Sequence, residues 1–89
     1  MDKVSIIRVK SSSDVKSLAG SVTKALEEQG KVEVQSIGAG ALNQAVKAIA
    51  MSRGFIAPKG KDVIVRPGFG ETIIDGKEKT VIRQFVAIV

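Results

Sequence analysis

Apolar and polar positions alternate along the chain with two different periods. Val4 to Val9 (VSIIRV) is β-branched and almost continuously apolar, bounded by Lys10 and a serine run, which predicts a buried strand. Ser11-Ser12-Ser13-Asp14 then offers several N-caps for a helix whose apolar face is Val15, Leu18, Ala19, Val22 and Leu26. Gly30 supplies the left-handed stop. Lys31 to Ile37 (KVEVQSI) has the mixed pattern of a strand covered on one face, and Gly38-Ala39-Gly40 leads into a second helix. Its apolar stripe is expected at Leu42, Ala45, Val46, Ile49 and Ala50, with Gly54 as its end. A Pro58-Lys59-Gly60 turn precedes a third strand, Asp62 to Arg66 (DVIVR), which Pro67-Gly68-Phe69-Gly70 is expected to interrupt by a bulge or bend. Glu71 to Ile74 and Thr80 to Val89 flank Asp75-Gly76, a dipeptide typical of two-residue hairpin turns.

The order is β-α-β-α-β-β. It predicts a two-layer α/β sandwich, with a mixed four-stranded sheet and two helices on one of its faces. The last strand carries Ile82, Val86 and Ile88 on one side and Phe85, Ala87 and Val89 on the other. Both faces are thus apolar at that end, and self-association into a dimer or larger homo-oligomer is the economical explanation.

With 89 residues the chain is expected to form one domain, residues 1–89, because halves of it would bury too little surface to fold. Three Phe and no Trp or Tyr leave few platforms for stacking bases. The net charge of +5 favours polyanionic partners. The absence of Cys fits a reducing compartment. MDKVSIIRVK contains an apolar run far shorter than a signal core, and no segment reaches membrane-spanning length, so a cytoplasmic protein without a membrane partner is expected.

With neither His nor Cys, the usual general base and thiol nucleophile are missing. Glu27 and Glu28 diverge at a helix end, Asp75 forms a turn, and Ser11 to Ser13 have no evident activating base. No catalytic residue, metal site or cofactor is expected. Gly38-Ala39-Gly40-Ala41-Leu42-Asn43 has two glycines of a dinucleotide fingerprint but Asn43 in place of the third, which reads as a structural corner at a helix start.

Candidate nucleic-acid contacts gather at three places. Lys10, Ser11, Ser12 and Lys16 surround the serine loop. Gly40, Asn43, Gln44 and Lys47 lie at the start of the second helix, and Lys77 and Lys79 beside the hairpin turn. The plain alternatives are a solvated helix face and lysines that guard an exposed strand edge.

Ala39-Gly40-Ala41-Leu42-Asn43-Gln44-Ala45-Val46-Lys47-Ala48-Ile49-Ala50, followed by Arg53-Gly54-Phe55-Ile56-Ala57-Pro58, resembles the signature of the stage V sporulation protein S family. The serine loop, Val32 to Gly38 and the hairpin with Asp75-Gly76 and Lys79-Thr80 resemble it too. The resemblance implies a bacterial protein of Alba-like fold that assembles as dimers or larger oligomers. It implies a role in sporulation control, with nucleic-acid binding inferred through similarity to Alba chromatin and RNA-binding proteins. Alba proteins tend to carry basic residues just before and within the Ala41 to Val46 stretch, where this chain has the uncharged Gly40 and Gln44. The leading expectation is a non-enzymatic, oligomeric regulatory protein that binds DNA or RNA. The rival is a protein-interaction or assembly module in sporulation control without direct nucleic-acid binding.

Overall fold

The structure, a computed structural model, describes residues 4–89; residues 1–3, where the segment read for a signal core begins, lie outside the described residues. Strand β1 (Ser5–Val9) leads through the serine loop to helix α1 (Val15–Gln29), strand β2 (Lys31–Ser36) and helix α2 (Ala39–Ile56). A short 3-10 turn (Ala57–Lys59) then precedes strands β3 (Val63–Ile74) and β4 (Lys77–Ile88). The sheet order is β1-β2-β4-β3, with β1 parallel to β2 and β4 antiparallel to both of its neighbours. The molecule measures 44 × 31 × 17 Å. The smallest dimension suits one sheet with one helical layer, and the largest follows the long β3–β4 hairpin.

Helix α1 forms as its spacing predicts. The Asp14 carboxylate accepts hydrogen bonds from the Ser17 backbone N–H at 3.0 Å and the Ser17 hydroxyl at 2.9 Å. Those bonds, the backbone one foremost, hold its pKa below the usual carboxylate range. Leu18, Ala19, Val22 and Leu26 are buried, and Gly30, at φ 76°, closes the helix by donating to Leu26 O at 2.8 Å.

Helix α2 is rotated from its expected orientation. It buries Ala41, Ala45, Ala48, Ile49, Ser52 and Ile56, while Val46 and Ala50 face solvent and Leu42 is half-buried. The small side chains let the helix lie close to α1 and the sheet, so the larger Val46 is turned outward. Gly54 does not end the helix, which runs two residues beyond it to Ile56.

Strand β3 also differs from expectation. It is continuous for 12 residues, and its register with β4 passes through Pro67↔Gln84, Gly68↔Arg83, Phe69↔Ile82 and Gly70↔Val81 without a bulge. Proline is tolerated because β3 is an edge strand, so Pro67 needs no N–H for a second neighbour. The hairpin turns at Asp75 and Gly76 with φ 52° and 75°, the two positive values of a type I′ turn.

One sheet face, with Val32, Val34 and Val86, packs on the helices. The opposite face has a polar centre. Glu33, 5% exposed, accepts from Arg83 Nε at 2.9 Å and Nη2 at 3.0 Å, and from Gln35 Nε2 at 2.5 Å. Arg83, the principal cause, keeps the Glu33 carboxyl below its ordinary pKa. The guanidinium carbon lies 4.8 Å from the Phe85 ring centroid, and the aliphatic stem runs over β3. A methyl group at Gly70 would sit 2.6 Å from Arg83 Cδ. Gly70→Ala is therefore expected to lower the melting temperature, and most of that loss should vanish in an Arg83→Ala background; chemical denaturation of the four chains in a double-mutant cycle measures the coupling.

Candidate nucleic-acid interface

The corner at Gly38, φ 86°, passes the chain from β2 into α2, whose first amides have no side-chain cap. The serine loop lies against this helix start. Lys10 N–H donates to Ser13 Oγ at 2.9 Å and Ser13 N–H to Lys10 O at 3.0 Å, which closes the loop with Ser11 and Ser12 at its exposed corner. Gln44 Nε2 donates to Ser13 O at 3.0 Å. A methyl group at Gly40 would come within 3.0 Å of Ser11 Cβ, so glycine allows the loop and helix to meet.

The hairpin arm completes the arrangement. Along it Thr72↔Lys79 and Ile74↔Lys77 share one face, while Glu71↔Thr80 and Ile73↔Glu78 share the other. The arm's two glutamates therefore point away from its two lysines. Between the arm, the ends of β1 and β2 and the start of α2 lies a cleft of about 540 Å³. Its charged lining residues are Arg8, Lys10 and Lys79, with no carboxylate among them. Ser11, Gln35, Ser36 and Thr72 add polar groups, and Ile37, Ile74 and Val81 are prominent in its apolar wall.

Acidic groups are engaged elsewhere. Asp62 pairs with Arg53 at 2.6 Å, Glu28 with Lys24 at 4.0 Å, Glu27 with Lys59, and Glu33 with Arg83. Asp62 is held below its ordinary pKa chiefly by its hydrogen bond from Arg53.

Of the candidate contacts, Lys10, Ser11 and Lys79 line the cleft. Ser12 sits beside Ser11 on the exposed loop, and Lys16 follows in the first turn of α1. Gly40 and Gln44 hold the loop against the helix. Asn43 and Lys47 are exposed one turn apart on α2, and Lys77 lies at the arm's end, all three outside the cleft lining. Sequence reasoning missed Arg8, Ser36 and Thr72. The available signal was strand alternation, which sets Arg8 out of phase with Ile7 and Val9 and beside Gln35 in the parallel register. Among the described residues no group of His, Cys, Asp or Glu is placed to hold a metal ion, and no helix is long and apolar enough to cross a membrane.

A hairpin arm and a β1–α1 loop flanking the start of α2 on a two-layer sandwich define an Alba-like domain. A solved structure, Alba from Thermoplasma volcanium, matches with a TM-score of 0.63 over 92% of this chain and 98% of that one, at 14% identity. At that identity the likeness shows the fold. Residues 5–89 match the family described as Stage V sporulation protein S (SpoVS), and the chain belongs to that family.

Gln44→Ala should detach the serine loop from α2 at a cost of about 1 kcal/mol, the worth of one ordinary hydrogen bond. The expected signature in amide exchange is faster exchange at Ser13, with the α1 core positions Val22 and Leu26 unchanged.

Proposed function

We propose that this chain is a non-enzymatic, oligomeric, cytoplasmic regulatory protein that binds nucleic acid, DNA or RNA, through the cleft and the basic residues around it. The observation that supports this most is a lining with three cations, no carboxylate and no internal ion pair for Arg8, Lys10 or Lys79 among the described residues. Such a concentration of unneutralised charge attracts phosphates and releases their counterions on binding. Lys16, Lys47 and Lys77 lengthen the basic track, and the uncapped amides of α2 add partial positive charge beside Ser11. A sequence without His or Cys supports the non-enzymatic reading.

Self-association fits an apolar surface on the helix side of the arm. Phe69 and Ile73 are 79% and 70% exposed and share a face of β3 with Val65. Val65, Val46 and Ala50 line one groove between α2 and the sheet, so the apolar strip extends from the arm to the helix. The same strip favours the second reading, an assembly module that needs no nucleic acid.

Two measurements separate these readings. Across a salt series, Lys10→Glu with Lys79→Glu is expected to weaken nucleic-acid binding by roughly 10- to 100-fold and to reduce the log–log salt slope by about two; absence of binding to DNA and RNA at low salt would leave the assembly module. In light scattering, Phe69→Glu with Ile73→Glu should convert the oligomer to folded monomers, and an unchanged mass would remove the apolar strip from the interface.

A further inference from the structure

Helices cover one face of the sheet, and the other carries an apolar surface apart from the cleft. Register sets Ile6 beside Glu33, Glu33 beside Phe85 and Phe85 beside Arg66 on this open face, with Ile64 beside Ala87. Ile6, Ile64 and Phe85 are exposed, and a groove of about 350 Å³ there is lined in part by Val4, Lys31, Arg66, Phe85 and Ala87. Arg8, Lys31, Arg66 and Arg83 stand on the same face of the sheet. Its one carboxylate among the described residues, Glu33, is held by Arg83, whereas Arg66 has no ion pair among them. The body of this face is therefore apolar and basic.

The outer side of the arm is apolar and acidic. Among the described residues Glu71, Asp75 and Glu78 are the side-chain carboxylates with neither an ion pair nor a hydrogen bond, and all three stand on the arm. Glu71 and Glu78 share a face with Phe69 and Ile73, the two most exposed large apolar side chains among the described residues. The arm strip and the open face thus complement one another in charge, and both leave apolar groups in water. Their sizes match as well. Three interstrand spacings make the open face about 14 Å wide, and a two-stranded arm needs roughly 10 Å.

Like charge disfavours the symmetric pairings. A two-fold axis sets a surface on its own copy, which gathers cations at the open face or four glutamates at the arm. The arm cannot fold onto the face of its own chain, because β3 and β4 are continuous strands of that same sheet. We propose that the open sheet face receives the arm of a second copy, with Phe69 and Ile73 resting on Ile6, Ile64 and Phe85 while Glu71 and Glu78 meet the surrounding cations, Arg66 foremost. The proposal rests on the self-association read above and assigns the apolar strip its partner surface. Such a contact is head-to-tail: each copy gives an arm and receives one, so assembly continues until it closes as a ring or ends as an open filament. The inner face of the arm, with Lys77 and Lys79, stays clear of the contact.

Sedimentation of the wild-type chain, an arm variant (Phe69→Glu with Ile73→Glu) and a face variant (Ile64→Glu with Arg66→Glu) reads the contact directly. Each variant alone is expected to sediment as a monomer, with circular dichroism showing the fold retained. An equimolar mixture of the two should form a dimer, since each pair keeps one intact arm and one intact face and can make a single contact. Arg66→Glu alone, exposed on the edge strand, gives a partial loss of mass that does not depend on how Ile64→Glu affects folding. A face variant that keeps the wild-type mass overturns the proposal, leaves self-association through the strip intact, and assigns the open face to a partner other than this chain. A mixture that stays monomeric overturns it too. A wild-type chain that is monomeric at every concentration removes the self-association reading and this contact together.

Discussion

A buried carboxylate on the uncovered face of a two-layer sandwich has to be paired in place, and Glu33 meets that requirement through Arg83. The pair joins the two central strands, because Glu33 stands on β2 and Arg83 on β4. Arg83 then crosses to the edge strand, where Gly68 and Gly70 leave space for Phe85 and for Arg83 itself. The side chain of Arg83 is about two-fifths exposed, so water screens the pair from that side and its main effect is geometric. It fixes the sheet where the β3–β4 arm begins. Thr72, Ile74 and Lys79 reach the cleft only because the arm leaves the sheet in a set register.

The fold was legible wherever one residue type does one local job. Asp14 as a cap, Gly30 as a stop and Asp75-Gly76 as a turn act within a few residues, and so does the three-and-four spacing of α1. The stripe of α2 was not legible because both of its faces carry small or aliphatic residues. Only tertiary packing decides that Ala41, Ala45 and Ala48 go inward while Val46 goes out. Pro67-Gly68-Phe69-Gly70 misled for a similar reason. Its composition forbids a central strand, but β3 is an edge, and its glycines serve the approach of Phe85 and Arg83 rather than a bend.

The candidate site divides in the same way. Lys10, Ser11 and Lys79 stood out from their position beside loops and turns, whereas Arg8, Ser36 and Thr72 lie within strands and read as sheet residues. Gln44, a candidate contact, donates its Nε2 to Ser13 O. That bond gives the chain a fixed loop beside the helix start. The glycine turn before α2 shows the same division of labour: Gly38 sets the corner and Gly40 admits the loop.

Net charge by itself would not locate an interface, because an excess of +5 spread evenly over a small domain serves solubility equally well. Its distribution is what carries information. Acids pair with Lys24, Arg53, Lys59 and Arg83 away from the cleft, and on the arm Glu71 and Glu78 occupy the face opposite Lys77 and Lys79. The local excess is thus produced as much by the placement of acids as by that of lysines. Shared fold at 14% identity leaves this partition free to differ between proteins, since the core needs only apolar residues of suitable size. In this chain the ligand chemistry therefore has to be read from the ends of β1 and β2 and the inner face of the arm, and not from the sandwich that supports them.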